Sequence, residues 1–499
     1  MFSARAILGL LASLTVGVVS SSGASLAGPG GHDLRLINAV KRQDPAAARQ
    51  LIAEGVDVDT RQGDGATALH WAAHRDDLAM AELLLAAGAT ATIANDLGAT
   101  PLQGACATRS GTMVERLLTA GADPNARLLN GETVLMTCAQ TGHPLAVRTL
   151  LEHGARVNER EVSHQQTALM WAAARGHADV VRLLLDAGAD PRLRTLTYQQ
   201  TVVDEQTQRA GREELNYTVL RGGSTALLFA VRGGDVASAR ALLVAGAEVN
   251  DAMSDGMSAL TLAAHSGHDG IGITLLERGA NPNNIGVGYA ALHAAVLRSE
   301  LDLVEALLAH GADPDIRLVK GTPLRRQTTD YNLPKTLVGA TSYLLAAKFL
   351  EPEIMRALAA GGADVSLAMP DGTTALLAAV GLGHRRGSRR GIAPIDVGGT
   401  PPTEGEILAT VEAAVDLGAD VNAATDGVTT LHVAAVNEYA LVVGLLLEEG
   451  ADSTVRNSAN QTPLEALLER FESRQPTAQD SPMETSETVR ILRQATGSR

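Results

Sequence analysis

The sequence predicts an all-α repeat solenoid. Three observations carry that prediction: a turn of fixed composition that returns at near-constant spacing, a constant order of small and apolar residues between turns, and a shortage of large side chains with which to build one central core. The turn is Gly-Ala-Asp or a close variant, beginning at Gly55, Gly88, Gly121, Gly154, Gly188, Gly246, Gly279, Gly311, Gly362, Gly418 and Gly450. Its spacings are 33, 33, 33, 34, 58, 33, 32, 51, 56 and 32 residues, and self-similarity at such a period is the signature of stacked supersecondary units. At 499 residues the chain exceeds what one compact core supports, yet aromatic residues make up only 2% of it while Ala, Leu and Gly dominate. Burial then comes from many small, similar helix contacts repeated along a line.

Inside a period the order is also constant: Thr167-Ala168-Leu169-Met170-Trp171-Ala172-Ala173, then Gly176-His177, then Leu183-Leu184-Leu185, then Gly188-Ala189-Asp190. The same opening stands as Thr67-Ala68-Leu69-His70-Trp71-Ala72-Ala73 and Thr429-Thr430-Leu431-His432-Val433-Ala434-Ala435. Thr caps the free amides of a first helix, and the paired Ala lets neighbouring first helices approach closely. Leu pairs on the second helix fill the space between repeats. Gly ends that helix in the left-handed conformation, and the Asp or Asn beyond it favours a turn. This pattern resembles the ankyrin repeat over nearly all of residues 33 to 470. The resemblance implies a stack of about eleven to twelve helix-turn-helix repeats with short β-hairpin fingers.

Residues 33–62 keep the second helix and turn, with Leu51, Ile52 and Gly55, but lack the Thr-x-Leu-His opening, so they read as an N-terminal capping repeat. Regular repeats follow over 63–191, 222–315 and 405–470, with 339–384 holding one repeat and the first helix of the next. Thr462-Pro463-Leu464 opens a last unit whose Gly-Ala-Asp turn never arrives, and 471–499 is a C-terminal cap and tail with a short helix near Val489 to Arg493.

Ahead of the array, Arg5, the apolar run Ala6 to Val19 and small residues ending at Ala27 resemble a cleaved secretory signal over residues 1–27. Export to a periplasm or the exterior is therefore expected, and the lack of a second apolar run of about 18 residues argues against a later membrane span. The net charge of -15 and pI of about 5.3 repel nucleic acid at long range. Only two cysteines occur. Cys106 and Cys138 fall in neighbouring first helices. Taken one helix diameter apart, roughly 10 Å, they exceed the ~7 Å between Cα atoms that a disulfide tolerates, so two buried free thiols are expected.

Three long intervals mark insertions. Residues 192–221 and 316–338 interrupt the chain at the same point of two repeats, between turn and next opening. They are expected to lengthen hairpin fingers on one edge, roughly 30 Å apart, and to bracket one partner. They hold Tyr198, Tyr217 and Tyr331, a residue type favoured at interfaces. Residues 385–404 intrude between two helices and carry Arg385, Arg386, Arg389 and Arg390, which suit phosphate, an acidic peptide or an anionic surface. In the family resembled, residues just after the Ala pair face a concave groove. Here they include His74, Arg75, Arg175, Arg232, His265, Arg298 and Lys348, a positive stripe on an acidic chain.

No catalytic, cofactor or metal site is expected. His70 with His74, and His265 with His268, have helical spacing but lack the intervening Glu of a zinc protease. Gly286-Val287-Gly288-Tyr289-Ala290-Ala291 falls in a finger rather than after a strand. Trp71, Trp171 and Phe229 share one repeat position and are read as buried between repeats. The sequence thus points to a monomeric, non-catalytic scaffold that binds a protein partner with an acidic surface. It leaves open a secreted effector engaging host proteins, or an enzyme with its site in an insertion.

Overall fold

The computed structural model describes residues 33–203, 216–321, 333, 335–381, 402–473 and 486–497. Among these residues 24 helices run as twelve antiparallel pairs, each first helix packing on the first helices of its neighbours and each second helix likewise. A typical pair is Ala68–His74 with Leu78–Ala86. The pair that opens the stack is Arg35–Lys41 with Pro45–Ala53, and the pair that closes it is Pro463–Ser473 with Glu487–Thr496.

The local sequence makes each element. Thr Oγ1 accepts from an amide three residues on at Thr133, Thr167, Thr225, Thr341 and Thr374, over 3.2 to 3.4 Å, which starts the first helix. The paired alanines Ala72–Ala73, Ala172–Ala173, Ala263–Ala264 and Ala346–Ala347 are fully buried, so no side chain holds the first helices apart. All eleven turn glycines have positive φ, from 79° at Gly55 to 94° at Gly362, which an L side chain adopts only with strain.

Repeats are also bonded to one another. His70 Nδ1 accepts from Thr67 N at 3.1 Å, which leaves Nε2–H to donate to Ala99 O of the next repeat at 2.9 Å; His432 does the same with Gln461 O at 3.0 Å. Asn125 Nδ2 donates to Gly154 O at 3.1 Å while its Oδ1 accepts from Arg156 N at 2.8 Å. Asn158, Asn283 and Asn422 repeat both bonds one period on. The fingers are tight turns such as Asn95 N to Ala99 O at 2.8 Å, and one forms the small hairpin Ala424–Thr425 with Val428–Thr429.

The expectation of two free thiols is overturned: Cys106 and Cys138 form a disulfide between the first helices Pro101–Ala107 and Val134–Thr141, with Cα atoms 4.7 Å apart. The spacing of helix axes does not measure residues that face each other. Axes about 8–10 Å apart, less two backbone radii of about 2.3 Å, leave facing Cα atoms roughly 3–5 Å apart. The bridge is fully buried.

The bases of the two insertions are built alike: Thr195 N donates to Ser224 O at 3.0 Å, and Leu318 N to Ala340 O at 2.9 Å. The first rises as a hairpin of strands β1, Tyr198–Val203, and β2, Asn216–Arg221. The described residues of the second are divided, with Val319 and Val338 exposed and three leucines inside. Leu318 and Leu333 are fully buried, Leu337 nearly so within a 3-10 turn Lys335–Leu337, and all three belong to the continuous core. The third, between Ala375–Ala379 and Glu404–Asp416, lies largely outside the described residues, as do Gly383-His384 and the candidate signal.

A crosslink closing a separation of 32 residues stabilises by roughly 3–4 kcal/mol in the chain-entropy account. The Cys106→Ala, Cys138→Ala double variant should lose on the order of 2–4 kcal/mol in urea unfolding. Denatured, unreduced wild type should show no reactive thiol; finding thiols before reduction would count against the bridge.

Candidate partner-binding surface

The exposed side of the stack follows from helix geometry. In Ala68–His74 the residues Leu69, Ala72 and Ala73 are buried against the second helix and neighbouring repeats. Trp71, His74 and Arg75, related by three and four positions, form the face left over. Trp71 and His74 are half-buried and edge-to-face at 6.1 Å, Arg75 is exposed, and Lys41 Nζ of the capping repeat stands over the Trp71 ring at 4.4 Å. Burial, then the Arg75 charge, push the His74 imidazole down, and burial also lowers Lys41.

Four repeats to the C-terminal side of the capping unit, Trp171 and Arg175 take the places of Trp71 and Arg75, half-buried and exposed respectively. Trp71, Trp171 and Phe229 are half-buried and packed against the core, so the reading of them as buried between repeats holds in part, with the rest of each side chain at the surface.

The positive stripe is less uniform than its sequence. Arg232 is exposed but donates toward Met253 Sδ at 3.0 Å. His265 lies 6.0 Å from the Tyr289 ring, Arg298 donates to Ser266 O at 3.3 Å, and burial lowers the half-buried Lys348. Acidic groups interleave. Asp76 follows Arg75, and Glu300 and Glu351 begin the next second helices, with Ser299 Oγ donating to Glu351. Burial raises the Glu300 carboxyl to about 7 against the lowering effect of Arg298. The slot of Trp71 varies along the stack: farther on it is filled by Ala294 and Leu345, both fully buried, and later by the half-buried Val433.

The β1–β2 hairpin pairs Tyr198 with Arg221 and Val202 with Tyr217, so two of the expected tyrosines share one element. Tyr198 is 46% exposed. Tyr331, Arg385, Arg386, Arg389 and Arg390 lie outside the described residues. The hairpin springs from Arg194, whose guanidinium donates to Gly223 O at 2.8 Å, to Ala252 O at 3.0 Å and to the buried Asp251 carboxylate. Arg317 does the equivalent at the second insertion, with Gly339 O at 2.8 Å and Ala368 O at 2.9 Å. These arginines were not singled out by sequence reasoning, although both stand four residues after the Asp of the turn, Asp190 and Asp313.

A second feature missed is a row of aliphatic side chains at successive fingertips: Leu97, Leu129 at 78% exposure, Val162 and Leu196. Leu129 N donates to Leu97 O at 3.1 Å, Val162 N to Asn130 O at 2.9 Å and Leu196 N to His164 O at 2.8 Å, so the tips form one ladder leading to the hairpin. Fingertips are exposed turns, and apolar residues there have no core to serve. Among the described residues no group of three or more His, Cys, Asp or Glu could hold a metal ion, and no helix is long and apolar enough to cross a membrane.

A model of three ankyrin repeats matches residues 36–128, 106–195, 202–286 and 227–318, and a single ankyrin repeat model matches residues 426–458. The chain belongs to the ankyrin repeat family. Ankyrin repeat and SOCS box protein 16 of Homo sapiens is 40% identical over 240 residues, which is 45% of this chain and 48% of that protein. Its Mus musculus counterpart is 30% identical over 228 residues, 42% of this chain and 47% of that protein. The E3 ubiquitin-protein ligase KEG of Arabidopsis thaliana is 26% identical over 259 residues, 50% of this chain but 14% of that one. This ankyrin chain thus spans about half the length of the first two relatives and a small part of the third. The crystal structure of the human ASB11 ankyrin repeat domain matches at 26% identity and a TM-score of 0.40, over 50% of this chain and 98% of that one.

Asp251 has only 2% of its side chain exposed and also accepts from Thr225 Oγ1 and Ala252 N. Removing the guanidinium strands that carboxylate, at a cost of about 3–5 kcal/mol for a fully buried pair and less here because Arg194 is 47% exposed. Arg194→Leu should lower the urea midpoint and speed amide exchange in β1 and β2. Unchanged exchange would show that the hairpin stands without this anchor.

Proposed function

We propose that this ankyrin chain is an exported, non-catalytic scaffold that binds one protein partner through its concave groove, its fingertips and the β1–β2 hairpin. The observation that carries this reading is the hairpin itself. None of its described side chains belongs to the core, yet the Arg194 network fixes its base and the apolar ladder Leu97–Leu129–Val162–Leu196 leads to it. A rigidly based surface loses little conformational entropy on association. The partner presents acidic groups toward the groove, where Arg75 and Arg175 are exposed, and apolar groups toward the fingertips. The bound state contains one copy of this chain.

Export is supported by the pattern of residues 1–27 and by the Cys106–Cys138 bridge, since disulfides persist in oxidising compartments. A periplasmic or extracellular site of action follows.

Affinity capture with the mature chain should recover a partner that a variant with residues 198–221 replaced by a short Gly-Ser turn does not. Equal recovery by both, with Arg194 retained in both, would remove the hairpin from the reading. Fractionation of the source cells should place the protein outside the cytoplasm with its amino terminus at Gly28; an intact Met1 on cytoplasmic protein would refute export.

A further inference from the structure

Two side-chain pairs on the open face are copies of each other. Trp71 and Arg75 sit four residues apart at the end of one first helix, and Trp171 and Arg175 sit four apart at the end of another, three repeats farther along. Both indoles are half-buried and both guanidiniums exposed. Their backbone amides close the helix ends on Trp71 O and Ala172 O, and among the described residues neither guanidinium has a hydrogen-bond or ion-pair partner. The ground between them is low. At the same helical positions the two intervening repeats carry Gly104 with Thr108 and Thr137 with Thr141.

The two indoles differ in one respect. Trp71 Nε1 donates to Gln62 Oε1 of its own finger at 3.2 Å. In the later repeat the corresponding finger residue is Glu161, and its carboxylate is taken up by Ser163 N, His164 N and Gln166 N at 2.6 to 3.0 Å. Trp171 Nε1 is left buried with no acceptor.

We infer that the paired Trp–Arg modules form a two-point clamp for an extended acidic segment of a protein, each module seating one apolar side chain on its indole and one carboxylate on its guanidinium. This rests on the scaffold reading above and names the chemistry of its partner. Charge complementarity selects the occupant: Lys41 adds to Arg75 at the first module, and Arg–carboxylate pairing is directional. Three repeat spacings of about 8–10 Å put the modules roughly 24–30 Å apart, which an extended chain covers in about seven to nine residues.

Trp71 and Trp171 are the chain's two tryptophans, so intrinsic fluorescence of the full-length protein reads both modules directly. The probe is a synthetic peptide with two Asp-Leu pairs eight residues apart in a Gly-Ser background. It should shift the emission saturably in wild type and in each of Trp71→Phe and Trp171→Phe. Binding should weaken at least tenfold in Arg75→Glu or Arg175→Glu, weaken with salt, and weaken when the pairs stand three residues apart. Far-UV circular dichroism of these exposed-site variants should match wild type. No emission change with the spaced peptide, equal binding by the Arg variants, or tighter binding of a single-stranded oligothymidine would overturn the clamp. So would undiminished capture of the natural partner by the Arg75→Glu, Arg175→Glu double variant, and that result would leave the scaffold reading standing.

Discussion

Close approach of neighbouring first helices is the constraint on which everything else depends. It places alanine at both of two consecutive positions in five repeats, Ala72–Ala73, Ala172–Ala173, Ala263–Ala264, Ala346–Ala347 and Ala434–Ala435, and at one of the two in most others, where Val or Cys fills the second place. The His70 to Ala99 and Asn125 to Gly154 bonds are made only when adjacent repeats stand at this one spacing. The same closeness brings Cys106 and Cys138 within bonding range. Stability in such an array is a sum of neighbour-to-neighbour terms, and the covalent bridge fixes one of those terms against separation.

Because the alanine faces are spent on stacking, the helix sides that remain are narrow, and they fall into register along the molecule. The surface of the stack therefore changes at one or two positions per repeat: Trp and Arg stand there in two repeats, Gly104 and Ala294 in others. The fingers add a second line parallel to the first, and the single tall hairpin rises from it. A buried ion pair holds the base of that hairpin, which is how an element with no core of its own keeps a direction.

The period made the fold legible. Each turn glycine and each Thr cap lies where its spacing demands, and the terminal helix Glu487–Thr496 was foreseen near its true place. What escaped was geometry across repeats. Measuring between helix axes, rather than between facing backbones, separated the two cysteines on paper. The burial of Leu318, Leu333 and Leu337 at the second insertion is not announced by their order in the chain. Arg75 and Arg232 look equivalent as letters, yet one guanidinium stands unpaired and the other lies against Met253. The exposed leucines and valines of the fingertips resemble core residues until their place on a turn is known.

The slot of Trp71 comes in two stretches. Trp71, Trp171 and Phe229 stand half open in the first and Val433 in the second, whereas Ala294 and Leu345 between them are shut. An array built from one repeated unit thus carries two separate textures on the same ridge, divided by a sealed floor, although the spacing of its units hardly changes.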